Sequence, residues 1–287
     1  MFSLVKRNIS LFFSDKVAVF FSLLGALIAV LLIMFFLKPS IVDSMVISFG
    51  GLATHQDAEN LLDAWLIVSA CVIASGTTGL AGLGYFVQDR ERARWRDFLV
   101  SPLPRWALTG GYLLSATLIS VIMTTLVYIA GTTYCWATGV PLSLGGVLES
   151  WGWLMVCSLA FTGLMGFLVS MLTTEQSFVG LTVVIGTTFG FLAQTYVTAS
   201  LLPTGVRDLL SSLPFAQASA LVRKPYTHDV IAGLPEIVHA PTMEAMGITL
   251  SIGTTQVSTP MILTILVVMT VVCTLACWQI MTRSMDR

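Results

Sequence analysis

Six apolar runs alternate with polar stretches along this chain. Positions 17–37, 65–87, 108–131, 151–172, 177–197 and 261–282 contain no Asp, Glu, Lys, Arg or His. The first has 21 residues. At about 1.5 Å per residue it reaches about 31 Å, the thickness of a bilayer's hydrocarbon core. The pattern predicts an all-α membrane protein, a single transmembrane domain over residues 1–287 with six spanning helices. Ahead of the first run, Phe2, Val5, Ile9 and Phe12 recur at helical spacing, with Ser3, Lys6, Arg7, Ser10 and Ser14 between them. That arrangement predicts an amphipathic helix over 1–14, lying on the membrane surface.

Between the runs, the punctuation is local. Lys38-Pro39 is expected to stop the first span, and a polar loop bearing Asp43, His55, Asp57, Glu59 and Asp63 leads to the second. The second run carries Ala70, Ala74, Thr78 and Gly82 at intervals of four. Such a ridge of small side chains lets another helix approach closely. Tyr134 and Trp136 precede Pro141, and Trp151 and Trp153 follow it, as an interfacial aromatic belt would. Thr173-Thr174-Glu175-Gln176 is a very short turn between spans four and five, and Gly186 and Gly190 give the fifth span a GxxxG spacing read as close packing. In the long stretch 201–258, Val206–Arg223 is half apolar and too short to cross, so a re-entrant or interfacial helical hairpin is expected. Ile248, Leu250 and Ile252 alternate with Thr249 and Ser251 as in a short strand, and Thr259-Pro260 opens the sixth span.

Composition agrees with a bilayer protein: 56% of the 287 residues are hydrophobic and 10% charged, against roughly 25% in soluble domains. A net charge of −1 argues against a nucleic-acid partner, which would need a basic face. Cys71, Cys135, Cys157, Cys273 and Cys277 lie in or beside apolar runs and read as small packing residues. His55, His228 and His239 fall in loops and read as ordinary loop polarity, so no metal site is expected.

The exception to the apolar rule is Gln88–Arg105, QDRERARWRDFLVSPLPR. Eight of its eighteen residues are charged: Asp89, Arg90, Glu91, Arg92, Arg94, Arg96, Asp97 and Arg105. Such an island between two membrane runs must sit in water. Six spans put both termini on its side. Ten of the 14 Lys and Arg residues fall on that side and four (Lys38, Arg207, Arg223, Lys224) on the other. The excess of cations marks the island and the termini as cytoplasmic.

With no ionisable group inside a span, a proton-coupled carrier lacks the group it needs to load and release protons. The chain has no HExxH, no GxSxG and no GxxxxGK[ST], so it carries neither a hydrolytic signature nor an ATP cradle. Energy for any uphill step must enter from outside, and the island is the cytoplasmic feature large enough to receive it.

Asp89-Arg90-Glu91, then Trp95-Arg96-Asp97-Phe98-Leu99 and Ser101-Pro102-Leu103, resemble the cytoplasmic loop of type-2 ABC transporter permeases. In that family Arg-Glu is followed two positions later by Gly, then by an acidic residue and Leu shortly before Ser-Pro; here Ala93 stands in place of the Gly. The amphipathic N-terminus, the six spans and the LP…R pattern of Ser212-Leu213-Pro214 and Arg223 are similar to the family too. The resemblance implies a bacterial inner-membrane exporter subunit that pairs with a second copy or a related permease. It further implies two separate ATPase subunits, which carry ATP and Mg²⁺, leaving this chain without a cofactor of its own.

The island would be the coupling helix. Arg90, Glu91, Arg94 and Asp97 would make charge-assisted contacts and Trp95 and Phe98 anchor in an apolar cleft of the ATPase, with Glu175 in a second, smaller contact. The family also implies that spans two and five line the transport path, with Ser75, Thr78, Gly79, Thr187, Phe189, Phe191 and Gln194 as candidate lining residues. Uncharged spans suit a hydrophobic or amphiphilic cargo such as a drug, an antimicrobial peptide or a lipid-linked molecule. The competing readings are an ion-gradient-driven transporter and a non-transporting membrane scaffold.

Overall fold

The computed structural model describes residues 1–92, 105–253 and 255–284. It is an α-helical bundle with six helices long and apolar enough to cross a membrane: Lys16–Ser48, His55–Glu91, Trp106–Ala137, Leu144–Ser170, Glu175–Leu192 and Thr259–Thr282. An N-terminal helix α1 (Phe2–Ser14) precedes them. The first span is α2 (Lys16–Leu32), continued by a π turn (Ile33–Leu37) into α3 (Lys38–Ser48). Lys38-Pro39 therefore does not end this helix. Proline has no N–H to donate, and the wider π turn takes up the irregularity: the Lys38 N–H reaches back five residues to the Ile33 carbonyl. Asp43 consequently lies on α3, while Asp57, Glu59 and Asp63 lie on α4 (His55–Gly82), whose start is fixed by a Thr54–Asp57 capping box. The expected polar loop shrinks to a turn at 49–54.

The second span, α4 with α5 (Gly84–Glu91), is the axis of the bundle: 94% of its apolar window is buried. Helices α6 (Arg105–Ala137) and α7 (Leu144–Ser170) pack on it, joined by a turn at 138–143. Helix α6 outruns its apolar run at both ends and α7 starts ahead of its own, so Tyr134 and Trp136 lie in the last turn of α6 and Trp151 and Trp153 within α7, not in a loop. Helix α8 (Glu175–Leu192) is the fifth span and α13 (Thr259–Ser284) the sixth.

The chain between them forms the expected hairpin: α9 (Thr204–Ser212) and α10 (Pro214–Tyr226), broken at Leu213-Pro214. Two short helices follow, α11 (His228–Ala232) and α12 (Glu236–Ala245). The strand expected over 248–252 is confined to β1 (Ser251–Ile252), which pairs antiparallel with β2 (Thr255–Gln256). Ile248 and Leu250 are buried all the same, as core contacts of a turn.

Alternating helix directions give the bundle two ends. One holds α1, the described base of the island (88–92) and the α7–α8 turn. The other holds the hairpin and the α6–α7 turn. At the hairpin end Lys38 Nζ bonds both oxygens of the largely buried Asp63, at 2.8 and 2.9 Å. This closes spans one and two with a charge pair outside the apolar runs.

Candidate functional site at the island end

Helix α1 is docked on protein. Leu4, Val5, Asn8 and Phe12 form its buried stripe, Asn8 Nδ2 donates to Ser115 Oγ at 3.1 Å, and Phe2 is 81% exposed. The amphipathic reading thus missed Asn8, a polar residue facing inwards because a partner hydroxyl awaits it. Next to it Arg7 makes a bidentate pair with Asp89, at 2.6 and 2.9 Å. The Tyr112 hydroxyl donates to the same carboxylate at 2.7 Å. The bond to Asp89 pushes the Arg7 guanidinium further up, so it is charged at every working pH. Asp89, 2% exposed, therefore ties α1 and α6 to the island end of the second span.

The next three residues reach the other way. Arg90 Nη1 donates to the Ser170 and Leu172 carbonyls, at 3.0 and 2.8 Å, filling acceptors at the C-terminus of α7. Glu91 Oε2 accepts from the Glu175 backbone N–H at 2.7 Å, at the N-terminus of α8. Arg92 pairs with the Glu175 carboxylate at 3.2 Å. Arg90, Glu91 and Glu175, read from the sequence as surface contacts, come together in one network that fixes the α7–α8 turn to the base of the island. Arg94, Trp95, Asp97 and Phe98 lie outside the described residues.

Above this network lies a cavity of about 650 Å³ between the first, second and fifth spans. Its walls are mostly apolar, with Phe21, Ile28, Leu80 and Val183 among them, and Asp15, Tyr85 and Gln88 stand at its island end. The volume falls in the range of about 300–1,000 Å³ usual for small-molecule sites.

Among the sequence-predicted lining residues, Thr187 belongs to this cavity. Ser75 and Thr78 are fully buried and bond their own helix at the Val72 and Ala74 carbonyls, and a Cβ on Gly79 would meet Thr162 Oγ1. These three residues face neighbouring helices of the same chain, not an open path. The cause is the central position of α4: its small ridge is spent on packing within the bundle. Phe189, 1% exposed, clusters with Phe161 and Phe215 at centroid distances of 5.0 Å, while Phe191 is exposed and edges against Tyr196. As for the GxxxG spacing, only half of it is close packing: a Cβ on Gly190 would strike the Tyr196 ring, whereas one on Gly186 would meet nothing within 4 Å, and Gly186 lines the cavity.

Gln194 lies deeper, at the end of α8. The fifth span stops at Leu192, five residues before its apolar run ends, in a Schellman motif: Thr195 N–H bonds Gly190 O at 2.8 Å and Gln194 N–H bonds Phe191 O at 3.0 Å. Gln194 takes the left-handed φ of 51° that this motif requires. Arg223, fully buried on α10, closes the end. It donates from Nη2 to Ala193 O, Gln194 O and Thr195 Oγ1, from Nη1 to Met246 O and Gly247 O, and from Nε to Ser69 Oγ, all at 2.8–3.4 Å. Its guanidinium also lies over the Trp65 ring, 4.7 Å from the centroid. The sequence marked Arg223 only through a motif; nothing in it placed three separate segments, at 65–69, 193–195 and 246–247, around one cation.

These features define a multi-pass α-helical membrane protein with an apolar cavity above a charged, hydrogen-bonded network at 88–92 and Glu175. The model of the family described as ABC-2 type transporter matches residues 1–224, and the chain belongs to that family. It is therefore the transmembrane permease component of an ABC transporter, whose ATP site is on a separate ATPase subunit. No curated protein matches the chain.

Proposed function

We propose that this permease exports a hydrophobic or amphiphilic substrate across the bacterial inner membrane. In this reading the island and both termini are cytoplasmic, and ATP and Mg²⁺ act on the partner ATPases. Arg94, Trp95, Asp97 and Phe98 dock in the ATPase, while Arg90, Glu91 and Glu175 carry the island's displacement onward. The substrate enters the cavity between spans one, two and five, and a second copy or a related permease completes the path beside α8.

One observation carries this reading: the base of the island is bonded to the first residue of α8, and α8 is a wall of the apolar cavity. A pull on the island at Arg92 or Glu91 moves the start of α8 because Glu175 belongs to both. The lining supports the cargo class, since an apolar wall with a polar rim at one end fits an amphiphile entering head last.

The test is reconstitution of the permease with its ATPase in proteoliposomes, with efflux of a hydrophobic dye and ATP hydrolysis read together. Glu91→Gln should lower dye-stimulated hydrolysis about tenfold, a single charge-assisted contact being worth roughly that factor, with the complex still assembled. Dye movement at the full rate without nucleotide would overturn the proposal in favour of a gradient-driven transporter.

A further inference from the structure

A second cavity, of about 640 Å³, lies at the hairpin end, between the start of α7, helix α10 and the start of α13. It has room for about twenty water volumes. Leu221, Ile248, Leu250, Val257 and Ile262 give it an apolar floor. Two opposite charges line it from different elements, Glu149 on α7 and Lys224 on α10. Among the described residues they form no ion pair with each other, and Lys224 has no ion-pair partner. Glu149 Oε1 accepts from Trp153 Nε1 at 3.3 Å, which holds the carboxylate beside the indole. His228 also lines the cavity, but its ring nitrogen is engaged by Asp229 at 3.2 Å.

Opposite charges that share a cleft without joining leave a gap for a ligand bearing both signs. An exposed pair gains little by closing the gap, roughly 0–1 kcal/mol, so an intervening ligand need not overcome a strong bridge. The depth of the cleft narrows the choice. Tyr134, Trp136, Trp151 and Trp153 surround the α6–α7 turn, and aromatic side chains collect at the headgroup level of a bilayer. Beyond Trp153, α7 runs to Ser170 without a charged residue, which puts the hydrocarbon core on the inner side of the charged cleft.

We propose that this cleft holds the headgroup of a zwitterionic phospholipid, its phosphate at Lys224 and its amine between Glu149 and the Trp153 indole, with the acyl chains running towards the bilayer centre beside the uncharged stretch of α7. The site is separate from the cavity at the island end, and its occupancy does not depend on the direction or cargo of transport. A lipid held here bridges the hairpin to the starts of two spans.

The full-length permease, purified in detergent, would be exposed to equal amounts of phosphatidylethanolamine and phosphatidylglycerol and its retained lipids counted by native mass spectrometry. The expected result is about tenfold preference for phosphatidylethanolamine. Glu149→Gln should abolish the preference, while Lys224→Gln should lower retention of both lipids about tenfold. Both positions are exposed, so the size-exclusion profile should not change. Equal retention of the two lipids by the unaltered protein, or unchanged retention in both variants, would overturn the proposal. So would retention of chain-free glycerophosphoethanolamine as strong as that of the lipid, which would assign the cleft to a soluble zwitterion.

Discussion

Arg223→Met is the most informative single change in this molecule. The guanidinium is fully buried with no carboxylate beside it among the described residues, and four backbone carbonyls and two hydroxyls serve as its counter-charge. Two opposing effects decide the outcome. Replacing a buried charge with an apolar side chain of similar length removes a desolvation cost, and such replacements are sometimes neutral or stabilising. Here, however, the acceptors stay behind. Ala193 and Gln194 carbonyls close α8, Met246 and Gly247 carbonyls belong to a tight turn, and methionine donates nothing to any of them. At about 1 kcal/mol for each acceptor left without its donor, the four carbonyls alone cost about 4 kcal/mol. With roughly 2–4 °C per kcal/mol for a chain of this size, the Tm in detergent should fall by about 8–16 °C. Arg223→Lys keeps the charge but offers three donors on a point-like head, too few for six acceptors, and should lose about half as much. The assay is thermal unfolding followed by a cysteine-reactive dye that reports on the four buried cysteines, Cys71, Cys135, Cys157 and Cys277. An Arg223→Met protein as stable as the original would show that the acceptors re-pair locally, and the clasp would then hold nothing.

Two further outcomes follow from the packing. Asp89→Asn keeps the shape of the side chain but weakens the bidentate pair with Arg7, so a spin label at Ser3 should gain mobility while the spans stay folded; an unchanged spectrum would show that Asn8 and the apolar stripe hold α1 alone. Gly190→Ala drives a methyl into the Tyr196 ring, which should cost about 1–3 kcal/mol as an overpacked contact. Tyr196→Ala in the same chain should restore much of it, and failure of that rescue would point to a backbone cause.

How much of this could be read from the chain depended on which medium each side chain meets. The six spans and the helical hairpin were legible because charge and apolar length report directly on water and lipid. The facing of α4 was not. In a soluble helix the buried side is the apolar one, but lipid is as apolar as a protein core, so a fully buried span and a lipid-facing span look alike in composition. The family resemblance implies a path past Ser75, Thr78 and Gly79, and the small size that agrees with it serves packing against α6 and α7 equally well. The breaks were hidden for a different reason. Pro39 is a sound stop signal until a π turn absorbs it, and the early end of α8 at Leu192 is set by Arg223, thirty residues on. The Arg7–Asp89–Tyr112 contact joins positions up to 105 apart, beyond any local pattern.

The surface of the bundle bears on where a second permease copy would sit. Spans one, five and six are buried over 22%, 11% and 17% of their apolar windows, so each leaves a long face without a partner in this chain. Those faces differ in kind. On α13 the exposed positions are large and branched (Val267, Val268, Val271, Val272, Leu275), a surface that lipid tails cover as well as any helix does. On α8, Gly180, Thr182, Thr187 and Thr188 stand among Val179, Val183 and Val184, and a Cβ on Gly180 would meet nothing within 4 Å. Helices associate in lipid through close approach and hydroxyl contacts because no hydrophobic drive remains between them. A second copy is therefore expected on α8. With each copy carrying Val183→Cys, oxidation in membranes should give a cross-linked dimer, and Val271→Cys under the same conditions should stay monomeric. The reverse pattern would move the contact to the sixth span. The cavity between spans one, two and five would then open to lipid, not to a path shared by two copies.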